Sequence, residues 1–152
     1  YLNNDSSYYL NNNIKLVTSG DISKLPKEIF EKLEDLKEKS KNNSGLCVNL
    51  CLNYGGRDEI LMAINLLLKE KKDNISLDEF KNCLYTASLP DPDLVIRTSG
   101  ECRLSNFMLF QVAYSELYCP KVLWPDFGKR HFKKAIIEFQ KRDRRFGAIK
   151  KS

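Results

Sequence analysis

One stretch constrains this chain more than any other: Asp91 to Asp126, DPDLVIRTSGECRLSNFMLFQVAYSELYCPKVLWPD. Pro90 and Pro92 set a turn, Leu94-Val95-Ile96 follow as an apolar run, and the run halts on Arg97. That pattern predicts a short buried strand ending in a charge. Thr98, Ser99 and Gly100 make a polar turn, Glu101, Arg103 and Ser105 come next, and an apolar segment then runs from Phe107 to Tyr114. The segment is predicted as a helix with Ser105 as its cap. Strand, turn and helix start would bring two guanidinium groups, several hydroxyls and unpaired backbone N–H groups to one place. Such a place favours a phosphate or diphosphate, because the guanidinium fork matches phosphate oxygens and a helix start carries partial positive charge. The competing reading is that Arg97 and Arg103 pair with Glu101 or with surface carboxylates and do no more.

Upstream, Ile14 to Val17 reads as a strand running into the turn Ser19-Gly20-Asp21. Pro26 sits where a first helical turn tolerates proline, and Ile29, Phe30, Leu33 and Leu36 recur at helical spacing in a charged segment that ends near Ser40. Leu46 to Leu52 is apolar except for Asn49, which predicts a central strand buried on both faces. It ends on Asn53-Tyr54-Gly55-Gly56-Arg57, after which Ile60, Leu61, Ile64, Leu67 and Leu68 mark another helix. That glycine pair either turns the chain or lets backbone approach a ligand closely. Ser76-Leu77-Asp78-Glu79 is a capping box opening a short helix to about Tyr85. Leu117-Tyr118 and Val122-Leu123-Trp124 are extended candidates, and Phe132, Ile136, Ile137 and Phe139 give a last amphipathic helix. Strands alternating with helices predict an α/β fold with a mainly parallel central sheet and flanking helices. In such sheets ligands gather at the carboxyl ends of strands, where Asn53 and Arg97 both fall, so the two loops are expected to face one cleft. No dinucleotide glycine fingerprint accompanies them.

With 152 residues and 42% of them hydrophobic, the chain is long enough to bury a core. Its net charge of +5 suits phosphorylated ligands, anionic membrane surfaces or nucleic acid without choosing among them. Cys47, Cys51, Cys83, Cys102 and Cys119 form neither a CxxC pair nor a cluster with histidine, so zinc and a disulfide framework are not indicated and a reducing compartment is expected. Cys47 and Cys51 are expected as small buried hydrophobes. No stretch reaches the roughly 18 to 20 apolar residues of a membrane span. His131, the one histidine, is expected at the surface or in packing, and Tyr114, Tyr118, Trp124 and Phe127 in a core or a dimer interface. Residues 1–13, with five asparagines and no initiator methionine, read as a low-complexity linker or insertion. Residues 14–147 read as one α/β domain and 148–152 as a tail, and the whole is expected to be a piece of something longer.

Three separated motifs resemble one family: Asn53-Tyr54-Gly55-Gly56-Arg57, the run from Asp91 to Phe127, and Arg142-Asp143-Arg144-Arg145-Phe146-Gly147. Together, over about Ile14 to Gly147, they resemble the cis-prenyltransferases, the undecaprenyl and dehydrodolichyl diphosphate synthases. The resemblance implies a transferase that condenses isopentenyl diphosphate with an allylic diphosphate such as farnesyl diphosphate, with Mg2+, to make a long-chain cis-polyprenyl diphosphate. It implies that Arg97, Arg103 and Ser105 hold the isopentenyl diphosphate, that Asn53 and Arg57 belong to the substrate site, and that Arg145 and Gly147 lie on a tail reaching the diphosphate across a dimer. Glu116 and Glu101 correspond to acidic residues near the metal. Magnesium takes few carboxylates when phosphate oxygens complete its shell, so a single protein carboxylate suffices in principle. The family's aspartate loop and most walls of its product tunnel lie in a first third with no counterpart in this sequence, so the catalytic aspartate is expected upstream of Tyr1, and Asp21 is not assigned that role. The chain alone is therefore expected to be inactive.

A non-catalytic subunit or diphosphate-binding partner of a prenyltransferase complex is the alternative to an enzyme portion. A homodimer or heterodimer, a cytoplasmic location or a peripheral one on the cytosolic face of a membrane (the endoplasmic reticulum if eukaryotic), and no nucleic-acid partner complete the expectations.

Overall fold

The computed structural model describes residues 2–71 and 74–143. They fall into two compact units, Tyr1–Ser88 and Leu89–Ser152. The first contains α1 (Leu2–Asn11), β1 (Lys15–Ser19), α2 (Lys27–Ser40), β2 (Cys47–Cys51), α3 (Gly56–Lys69) and α4 (Leu77–Asn82), with a 3-10 turn at Ile22–Lys24. The second contains β3 (Leu94–Ile96), β4 (Glu116–Tyr118), a 3-10 turn at Trp124–Asp126 and α5 (Lys129–Gln140). The α/β class read from the sequence is what the chain adopts, with its parallel strands in two pairs, β1-β2 and β3-β4.

Strands β1 and β2 pair in parallel from Lys15 opposite Cys47 to Ser19 opposite Cys51. Parallel neighbours need a crossover, and α2 supplies it. Proline at the N-cap of α2 starts the helix with a fixed φ, and Lys32–Glu28 and Lys39–Asp35 pairs four residues apart line its solvent side. The opposite stripe places Leu33, which has no exposed surface, and Leu36 against Leu16, with Tyr9, Leu25, Ile29, Val48, Leu50 and Leu52 packed around them. Burying a side chain of this kind contributes about 1.5–3 kcal/mol. At the end of α2 the buried Ser40 hydroxyl accepts from the Leu16 amide at 3.0 Å, so a strand donor is satisfied inside the core.

Three expectations change here. Within residues 1–13, read as a linker, Leu2–Asn11 is helical and Tyr9 joins the core cluster; the helix ends as Asn13 takes a left-handed conformation, φ 54°, which asparagine tolerates. Strand β2 is not buried on both faces: Cys47 is exposed and Val48 to Cys51 are half-buried. In a two-stranded sheet each strand is an edge, so apolar composition alone did not determine how much of it is covered. The capping box forms as predicted, with the Glu79 amide donating to Ser76 Oγ at 3.2 Å and the Ser76 amide donating to Glu79 Oε2 at 2.9 Å; α4 stops at Asn82 rather than near Tyr85.

In the second unit β3 and β4 pair in parallel, Leu94 opposite Glu116 and Ile96 opposite Tyr118. Their crossover is not the helix predicted over Phe107–Tyr114. Ser105, Asn106 and Met108 adopt left-handed conformations, with φ of 48°, 65° and 44°, and the segment is a chain of turns. A Ser–Asn pair offers its backbone local hydrogen bonds that compete with a helical ladder, and each left-handed residue breaks that ladder. Ser105 is accordingly not a helix cap. Val122–Trp124 is likewise not a strand; Pro125 helps to form the 3-10 turn instead. At the start of α5, His131 Nδ1 accepts from the Gly128 amide at 3.2 Å, and Phe127 stacks between Trp124 and His131 with centroids 6.1 and 5.8 Å away. Trp124 and Tyr114 are 73% and 72% exposed, which removes them from the core. Among the described residues no helix is long and apolar enough to cross a membrane.

Candidate functional site

In the first unit the ends of β1 and β2 are fastened to each other. The Asp21 amide donates to the Asn53 carbonyl at 3.3 Å, and Asn53 Nδ2 donates back to the Asp21 carbonyl at 3.0 Å. Gly20, with φ 109°, passes so close to β2 that a Cβ there would lie 2.2 Å from the Leu52 carbonyl oxygen, which no side-chain-bearing residue accommodates. Beyond these strand ends lies a pocket of about 530 Å³, lined by Asp21, Lys24, Asn53, Tyr54, Gly55, Asp58, Met62 and Tyr85. Arg57 sits exposed in the first turn of α3. The floor of the turn is fixed by Glu59, which is 1% exposed: it accepts from the Tyr54 hydroxyl at 2.6 Å and from the Tyr85 amide at 2.9 Å. Hydrogen bonding from Ser23 Oγ, at 2.5 Å, and then from Lys24 holds the Asp21 carboxyl below the usual carboxylate range; Asp21 in turn raises Lys24. Burial, with the nearby Asp21 and Glu59 carboxylates, pushes the Tyr85 phenol up.

In the second unit the edge of β3 continues past Ile96. Amides of Arg97, Ser99 and Gly100 donate to the carbonyls of Tyr118, Val122 and Pro120 at 2.9, 2.8 and 2.8 Å, and Ser99 and Gly100 both take positive φ, 71°, to make the turn. This anchored turn borders a pocket of about 230 Å³ lined by Val95, Ile96, Arg97, Thr98, Arg103, Leu104 and Phe107. Arg97 and Arg103 therefore meet on one concavity at the carboxyl end of a parallel strand. Arg103 is paired with Glu101 across the turn, and both are exposed to solvent. Among the described residues no carboxylate pairs with the Arg97 guanidinium. Ser105 lies on the exposed left-handed bend that follows. Arg145 and Gly147 lie outside the described residues.

Glu116, on β4, is bound by Arg142, whose second guanidinium nitrogen donates to the Leu117 carbonyl at 2.9 Å. Both carboxylates expected near a metal are thus engaged by arginines. Among the described residues no three His, Cys, Asp or Glu side chains gather to hold an ion. Carboxylate oxygens are the donors magnesium prefers, so these residues fit an ion carried mainly by phosphate oxygens and touching one carboxylate, and do not fit a cage made by the protein.

Parallel strands with pockets at their carboxyl ends define an α/β protein of the kind that takes ligands where strands end. The comparisons with known proteins narrow that class. A family profile of undecaprenyl diphosphate synthases matches residues 1–147. An isoprenyl transferase of Clostridium tetani is 51% identical over 98% of this chain and 61% of its own length. A crystal structure of a probable undecaprenyl diphosphate synthase from Campylobacter jejuni superimposes with a TM-score of 0.85 at 37% identity, covering 96% of this chain and 69% of that one. Lavandulyl diphosphate synthase from Lavandula x intermedia, in complex with dimethylallyl diphosphate, gives a TM-score of 0.91 at 31% identity, over 96% of this chain and 66% of that one. The chain belongs to the cis-prenyltransferase family. It spans about three-fifths of the length of the curated relatives it matches.

Several lining residues were not legible beforehand. Lys24, Asp58, Met62 and Tyr85 reach the first pocket from three different elements, and Thr98, Leu104 and Phe107 join the second. Glu59 carried one usable signal, an acidic residue in the first turn of a helix directly after a glycine pair, but its burial depends on Tyr85 arriving from beyond α4.

Proposed function

We propose that the chain is part of a transferase that condenses isopentenyl diphosphate with an allylic diphosphate such as farnesyl diphosphate, extending a cis-polyprenyl chain, and that the turn after β3 holds the isopentenyl diphosphate. The carrying observation is the convergence of Arg97 and Arg103 on one pocket beside a backbone-anchored strand end. Two guanidinium forks there match the oxygens of a diphosphate, and Ser105 on the adjoining bend adds a hydroxyl. The apolar Val95, Ile96, Leu104 and Phe107 supply a surface for the isopentenyl carbons. In this reading Asn53 and Arg57, and Arg145 and Gly147 of the terminal motif, are further substrate-binding residues. The Lavandula relative's bound dimethylallyl diphosphate supports an allylic diphosphate as co-substrate.

The reaction needs positioning above all, since the attacking alkene is a weak nucleophile and the allylic diphosphate leaves as its charge is neutralised. Magnesium, when bound with substrate, supplies that neutralisation, with Glu116, and Glu101 second, as the carboxylates that would meet it. Arginine pairing of both carboxylates favours a second reading, a diphosphate-binding subunit that leaves the chemistry to a partner. The two readings share the expectation that the 152-residue chain binds isopentenyl diphosphate without extending it.

Calorimetric titration of the purified chain with isopentenyl diphosphate tests the site: binding that disappears in Arg97→Ala supports it, and equal heats for both proteins refute it. Incubation with radiolabelled isopentenyl diphosphate, farnesyl diphosphate and magnesium then tests the inactivity that both readings expect. Polyprenyl product from the chain alone defeats the subunit reading and the expected inactivity together.

A further inference from the structure

The positive charge of this chain is gathered at one end. Ten of its 25 lysines and arginines, but two of its 20 aspartates and glutamates, lie in residues 129–152, so that segment carries +8 while residues 1–128 carry −3. Helix α5 begins with four of these cations, Lys129, Arg130, Lys133 and Lys134, and has a single acidic residue, Glu138. Glu138 is bonded to Lys141 at 3.0 Å, and among the described residues no carboxylate pairs with the first four. No acidic residue occupies the first turn, where the helix dipole favours one, so these charges oppose the dipole unless an outside anion meets them.

The packing of α5 decides which way they point. His131 stacks on Phe127 with centroids 5.8 Å apart, Ala135 has no exposed surface, and Arg142, just beyond the helix, holds Glu116 and the Leu117 carbonyl. Positions 131, 135 and 142 thus form the inward face. Lys129, Arg130, Lys133, Lys134 and Lys141 are exposed, and so are Phe132 and Ile137, at 54% and 41%. The outward side of the helix is a strip about 18 Å long by the helical rise per residue, bearing cations and two apolar side chains.

We propose that this strip docks on an anionic lipid surface, with the lysines and Arg130 among headgroup phosphates and Phe132 and Ile137 entering the acyl boundary. A basic helix with exposed apolar residues gains there from charge and from burial together. A second copy of the chain fits less well, because a twofold contact sets a face against itself and this face carries one sign of charge. Nucleic acid matches the cations but offers Ile137 no apolar medium. The use of the surface rests on the proposed function: a long-chain polyprenyl diphosphate is itself a lipid, and an enzyme seated on a bilayer hands it on without taking its tail through water.

The test is co-sedimentation of the 152-residue chain with vesicles of equal parts phosphatidylglycerol and phosphatidylcholine, against vesicles of phosphatidylcholine alone. Expected are binding to the first only and release at about 1 M salt, where the screening length falls to about 3 Å. Each cation near an anionic surface is worth about fivefold, so Lys133→Gln with Lys134→Gln should weaken binding about 25-fold. Phe132→Ser with Ile137→Ser should weaken it several-fold while circular dichroism stays that of the parent. Binding to both vesicles alike, to neither, or unaltered by the lysine pair overturns the proposal. Vesicle binding that survives loss of Phe132 and Ile137 and is displaced by polyuridylate makes the face a nucleic-acid surface and overturns it as well. A chain that binds vesicles but no isopentenyl diphosphate loses the proposed reaction and keeps the lipid surface, and the converse loses only the surface.

Discussion

Arg142 holds Glu116 with one guanidinium nitrogen and the Leu117 carbonyl with another, so a residue at the end of α5 closes over the strand that carries the expected metal carboxylate. On the proposed reading, magnesium would have to arrive with enough phosphate charge to compete with Arg142 for this carboxylate. We expect negligible calorimetric magnesium binding to the chain alone and clear binding once pyrophosphate is present. Removing the carboxylate in Glu116→Gln should weaken the coupled binding by about tenfold, the scale of a lost charged contact. Tight magnesium binding without pyrophosphate that survives Glu116→Gln would place the ion elsewhere.

Arg97 and Arg103 share a pocket but not a condition, because Arg103 is already paired with Glu101 and Arg97 is not paired with a described carboxylate. Arg97→Ala should weaken isopentenyl diphosphate binding by roughly ten- to a hundredfold, as expected for a charged, bidentate contact. Arg103→Ala should have the smaller effect, since breaking its present pair opposes its use. Titrations in which Arg103→Ala is the more damaging would reverse this ranking.

Glu59 ties Tyr54 to the Tyr85 amide from a fully buried position. Replacing it by Ala removes the buried acceptor of the Tyr85 amide and the Tyr54 hydroxyl and should destabilise the fold by about 3 kcal/mol. Glu59→Gln keeps an acceptor and should cost less. Urea denaturation of the three proteins gives the comparison, and equal midpoints for Glu59→Ala and the parent would show that the network carries no stability.

Asp21 has its carboxyl held below its ordinary value of 3.8, chiefly by the Ser23 hydroxyl and secondarily by Lys24. Because the folded value is the depressed one, the contribution is complete above about pH 3.8 and is lost as pH falls through the lower folded value. Ser23→Ala should move the Asp21 titration upward in carbon-detected NMR. A titration midpoint at or above 3.8 in the parent protein would contradict the assigned hydrogen bonds.

The second unit leaves Phe107, Tyr114, Leu117, Leu123 and Trp124 exposed, an apolar set of the kind that subunit contacts cover. Sedimentation velocity at micromolar concentration should show a dimer, and Trp124→Ser should shift it toward monomer. A parent chain that sediments as a monomer counts against a self-contact through these residues.

The sequence by itself determined the elements whose signals are local. Proline before Lys27, the apolar stripe of α2, the Ser76–Glu79 box and the apolar runs at β1, β2 and β3 each specify their structure within a few residues, and the three motifs were enough to reveal the family. Tertiary structure decided what depends on partners distant in the chain. Phe107–Tyr114 had helical composition, yet left-handed turns at Ser105, Asn106 and Met108 took its place, because the crossover must return the chain in register to β4. Leu46–Leu52 read as fully buried, but the number of strands beside a strand is not written in its own residues, and β2 is an edge. The same limit hid the engagement of Glu116 by Arg142, since that pair is brought together by packing between separate elements rather than by spacing along the chain.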